Sequence, residues 1–386
     1  MKWIDSQQAF DLVLEQLEGE AIVAVDTEAD SLHSYFDKVC LIQLSTPGED
    51  FVIDPLAQID LSRFGKLLAN PKITKVFHGG DYDLRILNRD FGFTVSNLVD
   101  TMICAQLLGY PSVGLAALLE RHFGIQVNKV HQRADWSMRP LSPEMLAYAA
   151  MDTHHLVALA AILRDSLAAL GRWDWALEEF ERLEMVRFRE TQENAEVFRK
   201  LKGIGSFDRR ALGVVAALHG WRDGLARKAD RPPFKIIGND VIVEIARAQP
   251  KSRDELSKIK AVSSYHVGRY GNDILGIIRD VLARPESEMP ERGETKPWSR
   301  DRAVETRIDR LKKVRDRFAK ELGIDGAMLA PRHVLSAIAT IEPRSVDDLS
   351  QVAAMREWQK KVLGPSLMET APPRQMTLAG TERAEE

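Results

Sequence analysis

Asp26 and Glu28, in the segment VDTEAD, sit two residues apart at the exit of a short apolar run. Residues i and i+2 of a strand face the same way, so both carboxylates can point at one spot. Such a pair is costly unless a cation or solvent offsets the repulsion, and hard oxygen ligands suit magnesium or manganese. A solvated acidic strand end is the plainer alternative. A second acid, Asp83, lies in HGGDYDLRIL and would project from the first turn of a helix. Its neighbour Asp81 reads as that helix's N-cap, and His78 as a packed strand-end histidine. A third element, YAAMD, places Tyr148 and Asp152 at i and i+4, one above the other on a helix face. A phenol and a carboxylate so placed can address one atom. Alone, each would equally well pack or face water.

The elements that must position these groups alternate strand and helix. Apolar, β-branched runs predict strands at Ala21–Val25, Val39–Leu44, Phe51–Ile53, Ile73–Phe77 and Val95–Val99. Helical stretches are expected near Leu61–Ala69 and Tyr82–Arg89, and continuously from Thr101 past Leu170. Strands first, with helices intercalated later, predict a mixed sheet covered by helices. A charged helix is expected over 172–200, within a connector spanning 171–206. A helical unit follows at 207–283. An exposed linker is expected at 284–301, where 284–299 carries three prolines among many charges. A third helical unit is expected at 302–368 and a disordered tail at 369–386.

Order and spacing give the three acidic elements joint force. Strand DxE, then a strand–loop–helix Asp, then helix YxxxD resembles the DEDD exonuclease superfamily in its tyrosine branch. The flanking segments KVCLIQLS, FHGGDYDLRIL and ADWSMRPLSPEMLAYAAMD are similar to those of ribonuclease D, over roughly residues 1–165. The resemblance implies an α/β fold: an RNase H-like mixed-sheet exonuclease domain over 1–170, followed by two all-α HRDC-type domains. It implies Asp26, Glu28, Asp83, Tyr148 and Asp152 as catalytic residues, and two divalent ions, Mg²⁺ or Mn²⁺, held by the four carboxylates. Two such ions about 3.5–4 Å apart can activate water and stabilise the leaving oxygen. On the family pattern Asp26, Glu28 and Asp152 would hold the ion that activates water, with Asp26 bridging to a second ion supported by Asp83. Tyr148 would orient the attacking water.

The region 207–283, with WRDGLAR, RPPF and QPKSRDELSKIK, resembles the HRDC domain, and 302–368 repeats the pattern in degenerate form. The resemblance implies nucleic-acid binding or partner docking. Candidate phosphate contacts are Arg222, Arg227, Lys228, Lys235, Arg253, Lys258 and Lys260, with Arg133 and Arg139 nearer the acids; solvated helix surface is the alternative for several of them. Trp136 is a candidate stacking surface for the terminal base, against the alternative of a core tryptophan. A clamp of three parts guiding a 3′ end to the metals is the expected assembly.

An acidic N-terminal unit followed by a basic one suits a metal-binding unit joined to a polyanion-binding one, with chance surface charge as the alternative. Residues 1–160 hold 12 Lys/Arg against 21 Asp/Glu, and residues 201–280 hold 15 against 9. Hydrophobic residues at 45% and charged residues at 28% describe an ordinary globular balance. The sequence reads as lacking a membrane-length apolar run and a signal peptide, and no Walker-type or GxGxxG loop implies a nucleotide cofactor. Cys40 and Cys104 lie in apolar segments and are expected as buried free thiols of a cytoplasmic protein. The expected function is a 3′-5′ exoribonuclease that trims the single-stranded 3′ ends of RNA, tRNA precursors above all, and releases 5′-mononucleotides. A monomer is the default. The alternatives are a DNA 3′-5′ exonuclease and an inactive RNA-binding scaffold.

Overall fold

A computed structural model of the chain describes residues 1–128, 130–189, 196–291 and 301–369. The first elements in chain order are β1 (Lys2–Ile4), α1 (Gln7–Leu17), β2 (Ile22–Ala29), β3 (Val39–Ser45), β4 (Asp50–Ile53), α2 (Ser62–Ala69), β5 (Thr74–Phe77) and α3 (Asp81–Phe91). Then come β6 (Leu98–Asp100), α4 (Thr101–Leu107), α5 (Leu115–Phe123), α6 (Pro143–His154), α7 (Leu156–Ala169) and α8 (Trp173–Glu184). The rest is helical: α9 (Arg209–Lys228), α10 (Asn239–Ala248), α11 (Arg253–Ser257), α12 (Ser264–Leu282), α13 (Arg302–Leu322), α14 (Gly326–Leu329), α15 (Arg332–Ile341) and α16 (Glu357–Glu369).

The chain forms two compact units. The first comprises Met1–Asn97, Val127–Val157 and Glu184–Ser299. Its strands run in the order β1-β4-β3-β2-β5. β3 is antiparallel to both β2 and β4, while β1 lies parallel to β4 and β5 parallel to β2. The mixed sheet is therefore present. Every residue of β3, VCLIQLS, is buried, as a central strand covered on both faces requires. α6 covers one of these faces, packing on β2, β3 and β4. Ser142 caps that helix by accepting from the Met145 N–H at 3.2 Å, and Pro143 takes the first turn, where its missing N–H costs nothing. The stretch Pro143–Ala169 is long and apolar enough to cross a membrane, which corrects the expectation of no such run. In the fold, Ala149 and Ala150 of this stretch lie in a core cluster with Leu41, Val52 and Trp136.

The same unit carries α9 to α12 around a second core that includes Val214, Leu218, Ile237, Ile242, Ile245, Leu256 and Ile274. Each such buried aliphatic side chain contributes about 1.5–3 kcal/mol. This helical group is latched to the loop that follows β2. The Tyr35 hydroxyl donates to Asp223 at 2.9 Å, the backbone N–H of Tyr35 donates to Asp230 at 2.9 Å, and the Arg227 guanidinium lies 5.3 Å from the Tyr35 ring centroid.

The second unit comprises Leu98–Gln126, Ala158–Leu183 and Arg300–Glu386. At its centre the Arg356 guanidinium grips the buried Glu179 carboxylate in fork geometry, at 2.8 and 2.9 Å, and the Trp358 indole donates to the same group at 3.1 Å. Trp175 stacks on Trp358 with centroids 4.7 Å apart.

Several local expectations change. The helical stretch from Thr101 is interrupted, α5 ending at Phe123 and α6 beginning at Pro143. β2 runs on to Ala29, so Asp26 and Glu28 lie within the strand and not at its exit. β1 was not foreseen, and the last strand falls at Leu98–Asp100. Asp81 is the first residue of α3 and not its cap; Gly80 takes the cap position and Asp81 pairs with Arg85 at 2.7 Å. The charged helix expected over 172–200 ends at Glu184, because beyond it the Phe188 N–H is drawn to Asn88 Oδ1 at 3.0 Å and the Arg187 carbonyl accepts from Arg85. Cys40 and Cys104 are buried free thiols, as expected. The linker residues 292–300 and nearly all of the expected tail lie outside the described residues.

Candidate active site

β2 presents Asp26 and Glu28 on one face, and α6 brings Asp152 onto that face from above. One carboxylate oxygen from each of the three lies within 4.8 Å of the others. Crowding at that distance raises all three. Burial, then the charges of Asp83, Asp152 and Glu28, holds Asp26 well above the usual carboxylate range. Burial, then Asp152 and Asp83, pushes Glu28 up to about 9. Burial and then Asp83 push Asp152 up to about 7. No lysine or arginine counts among these causes. Three hard anionic oxygens converging with no positive partner among the described residues fit a divalent cation.

Asp83 is buried at the start of α3 and accepts a hydrogen bond from the Thr27 hydroxyl. Thr27 faces the opposite side of the β2 pleat from its two acidic neighbours. Asp83 thus stands outside the three-oxygen set yet close enough to raise all three of its members. The preceding glycines put it there. Gly79 has φ +70°, a conformation that glycine adopts freely, and a Cβ at Gly80 would fall 2.9 Å from the Phe77 Cβ.

Tyr148, one turn before Asp152, senses the same acids. Burial first, then Asp152, Glu28 and Asp26, raises its phenol, which therefore stays protonated and able to donate. Its ring is held from behind by Trp136, stacked at 6.0 Å between centroids, and His131 approaches it edge-on at 6.0 Å.

Of the residues expected to contact nucleic acid, the structure corrects three. Trp136 is only 1% exposed and belongs to the core behind Tyr148, out of reach of a base. Arg139 is a clip between its loop and the sheet. Its guanidinium holds Asp54 at 2.6 and 2.7 Å and donates to the carbonyls of Cys40, Trp136 and Met138. Arg222 is buried and donates to the Ile237 carbonyl and to Asn239. Arg227 is exposed but committed to Tyr35 and Phe36. Arg133, Lys228, Lys235 and Lys258 are exposed, with the Lys235 ammonium 3.4 Å from His33 Nδ1. Arg253 and Lys260 are also exposed, and Arg253 donates to the Val267 carbonyl. Thr27 and Gln43, both at the site, were missed from sequence. A polar side chain inside the apolar run VCLIQLS was the available signal for Gln43.

Comparison with known proteins agrees with this geometry. The chain matches the 3′-5′ exonuclease family over residues 1–168 and the HRDC domain over 211–278 and again over 304–370. Sheet, acids and helical modules thus define a 3′-5′ exonuclease carrying HRDC domains. The chain is 35% identical over 292 residues to ribonuclease D of Acidiphilium cryptum, covering 75% of this chain and 74% of that one. It is 29% identical over 364 residues to ribonuclease D of Nitrobacter hamburgensis, covering 92% and 91%. Among solved structures it is similar to Escherichia coli RNase D, described as an exoribonuclease involved in structured RNA processing, with TM-score 0.69, 25% identity, and 95% and 97% of the two chains covered. The chain belongs to the ribonuclease D family and is a 3′-5′ exoribonuclease. A DEDD exonuclease fold implies dependence on a divalent metal.

Proposed function

We propose that this enzyme trims the single-stranded 3′ ends of RNA one nucleotide at a time, releasing 5′-mononucleotides, with precursor tRNA as its natural substrate class. The observation that carries the reading is the convergence of Asp26, Glu28 and Asp152 within 4.8 Å, beside a phenol that stays protonated. Asp26, Glu28 and Asp152 would hold divalent cations, Mg²⁺ or Mn²⁺, two of them with Asp83 contributing. Bound there, such ions supply an acidified water and charge stabilisation at the leaving oxygen. The chain's own residues do the rest. Tyr148 donates a hydrogen bond toward the space over the acids and orients the attacking water. Trp136 fixes the Tyr148 ring, and Arg139 fixes the Trp136 loop through the carbonyl it grips. Thr27 locks the rotamer of Asp83.

Exposed Lys228, Lys235 and Lys258 on the first helical module, with exposed Arg133, would contact phosphates along the strand. Buried free thiols at Cys40 and Cys104 suit the reducing cytoplasm. Product analysis tests the reading. A 3′-heterogeneous tRNA precursor should lose its trailer stepwise as 5′-mononucleotides, while a precursor with a base-paired 3′ end should resist. Oligonucleotide products, or equal rates on a strand lacking 2′-hydroxyls, would overturn it.

A further inference from the structure

Gln43 is fully buried, and among the described residues neither its carbonyl oxygen nor its amide nitrogen has a hydrogen-bond partner. Buried side-chain amides without partners are rare, since each such polar atom carries an uncompensated loss of water. Its place explains the anomaly. β2 and β3 pair so that Gln43 stands directly opposite Asp26. Side chains directly opposite in an antiparallel pair rise on the same face, with Cβ atoms about 4.5–5.5 Å apart. That face is the one under α6. Along β3, Leu41 packs in one cluster with Ala149 and Tyr148, and the Ser45 hydroxyl lies 2.7 Å from that of Thr153. Gln43, between them in the period-two pattern, is enclosed by α6, Asp26 and its other cross-strand neighbour, Val52.

The Asp26 carboxylate faces the complementary shortage. The hydrogen bond that eases its charge comes from the Thr27 backbone, against three neighbouring anions. An ionised carboxylate accepts at both oxygens, and a cation uses only one side of it. An amide donor across the strand pair, walled off from bulk water, is suited to the other side.

Resting on the cation reading above, we propose that Gln43 is a positioning residue for Asp26. In the cation-loaded enzyme its carboxamide donates, directly or through one buried water, to the Asp26 oxygen turned away from the cation and so fixes that side chain. Gln43 does not touch the reacting atoms. Partners of this kind typically change metal affinity 10–100-fold when removed.

The test compares Mn²⁺ binding by calorimetry and metal-free melting for wild type and Gln43→Met, which keeps the volume and deletes both polar atoms. The expected result is Mn²⁺ affinity weakened about tenfold or more, with a metal-free Tm unchanged or raised. Wild-type Mn²⁺ binding with equal affinity in Gln43→Met would overturn the inference. No Mn²⁺ binding by wild type would instead sink the cation reading beneath it. A second measurement guards against a variant that fails to fold. The ¹H–¹⁵N side-chain amide pair of Gln43 in the wild-type enzyme, assigned by through-bond correlation to its own Cγ and Cβ, should shift on adding Mg²⁺. A pair that stays in place at saturating Mg²⁺ would also overturn the inference.

Discussion

Replacing Glu28 by glutamine keeps the side chain's shape and removes its ionisation from the crowded acidic cluster. A carboxyl held at about 9 in the fold ionises near 4.5 in the unfolded chain. Between those values the folded state binds the extra proton, so stability falls as pH rises through this window. Below pH 4.5 the penalty is absent. At pH 8 the window spans about 3.5 units, which at about 1.36 kcal/mol per unit sets a ceiling near 5 kcal/mol. Glu28 is only half-buried, and water reaching it reduces this to roughly 1–2 kcal/mol. Glu28→Gln should therefore raise the metal-free melting temperature at pH 8 by a few degrees and change it little at pH 5. The assay is thermal unfolding followed by circular dichroism in chelator at both values. Added Mg²⁺ should then stabilise wild type more than the variant, because a ligand stabilises the form that binds it. A variant that melts below wild type at pH 8, or a gap equal at both pH values, would refute the electrostatic account.

Tyr148→Phe should lower kcat about a hundredfold, the usual effect of losing one oriented donor, while leaving KM and Mn²⁺ affinity near wild type; a loss of metal binding would show that the ring's role is structural. Arg139→Met leaves buried Asp54 unpaired and should destabilise the fold by about 3–5 kcal/mol in chemical unfolding, without changing the salt dependence of RNA binding. Lys228→Ala, Lys235→Ala and Lys258→Ala combined should flatten the slope of log K against log salt by about 0.7 for each phosphate no longer neutralised; an unchanged slope in filter binding would place the RNA elsewhere.

Much of the site was legible because its residues follow local periods. Asp26 and Glu28 sit at a spacing of two on a strand, and Tyr148 and Asp152 at a spacing of four on a helix, so the sequence carried both their identity and their facing. The extent of β2 was misread for the same reason that the site exists: DTEA has poor strand propensity, and only the sheet, with its chemistry, holds those acids extended. β1 has three residues, too few for any period to show. Arg139 and Asp54 are 85 positions apart and Trp136 lies in an irregular loop, so neither the clip nor the burial leaves a local pattern. Those long-range partners turned apparent nucleic-acid contacts into framework. Gln43 also escaped, because its significance lies in having no hydrogen-bond partner among the described residues and in standing opposite Asp26.

Converging carboxylates that cut RNA from its 3′ end should do so only with a divalent metal and with Asp26 in place. The most direct test is hydrolysis of matched 3′-labelled single-stranded RNA and DNA with Mg²⁺, Mn²⁺ or chelator, using wild type and Asp26→Ala. The expected result is metal-dependent release of single nucleotides from RNA by wild type, abolished in chelator and in an Asp26→Ala protein with native circular dichroism. Undiminished release by a folded Asp26→Ala protein would show that these carboxylates do not carry the reaction.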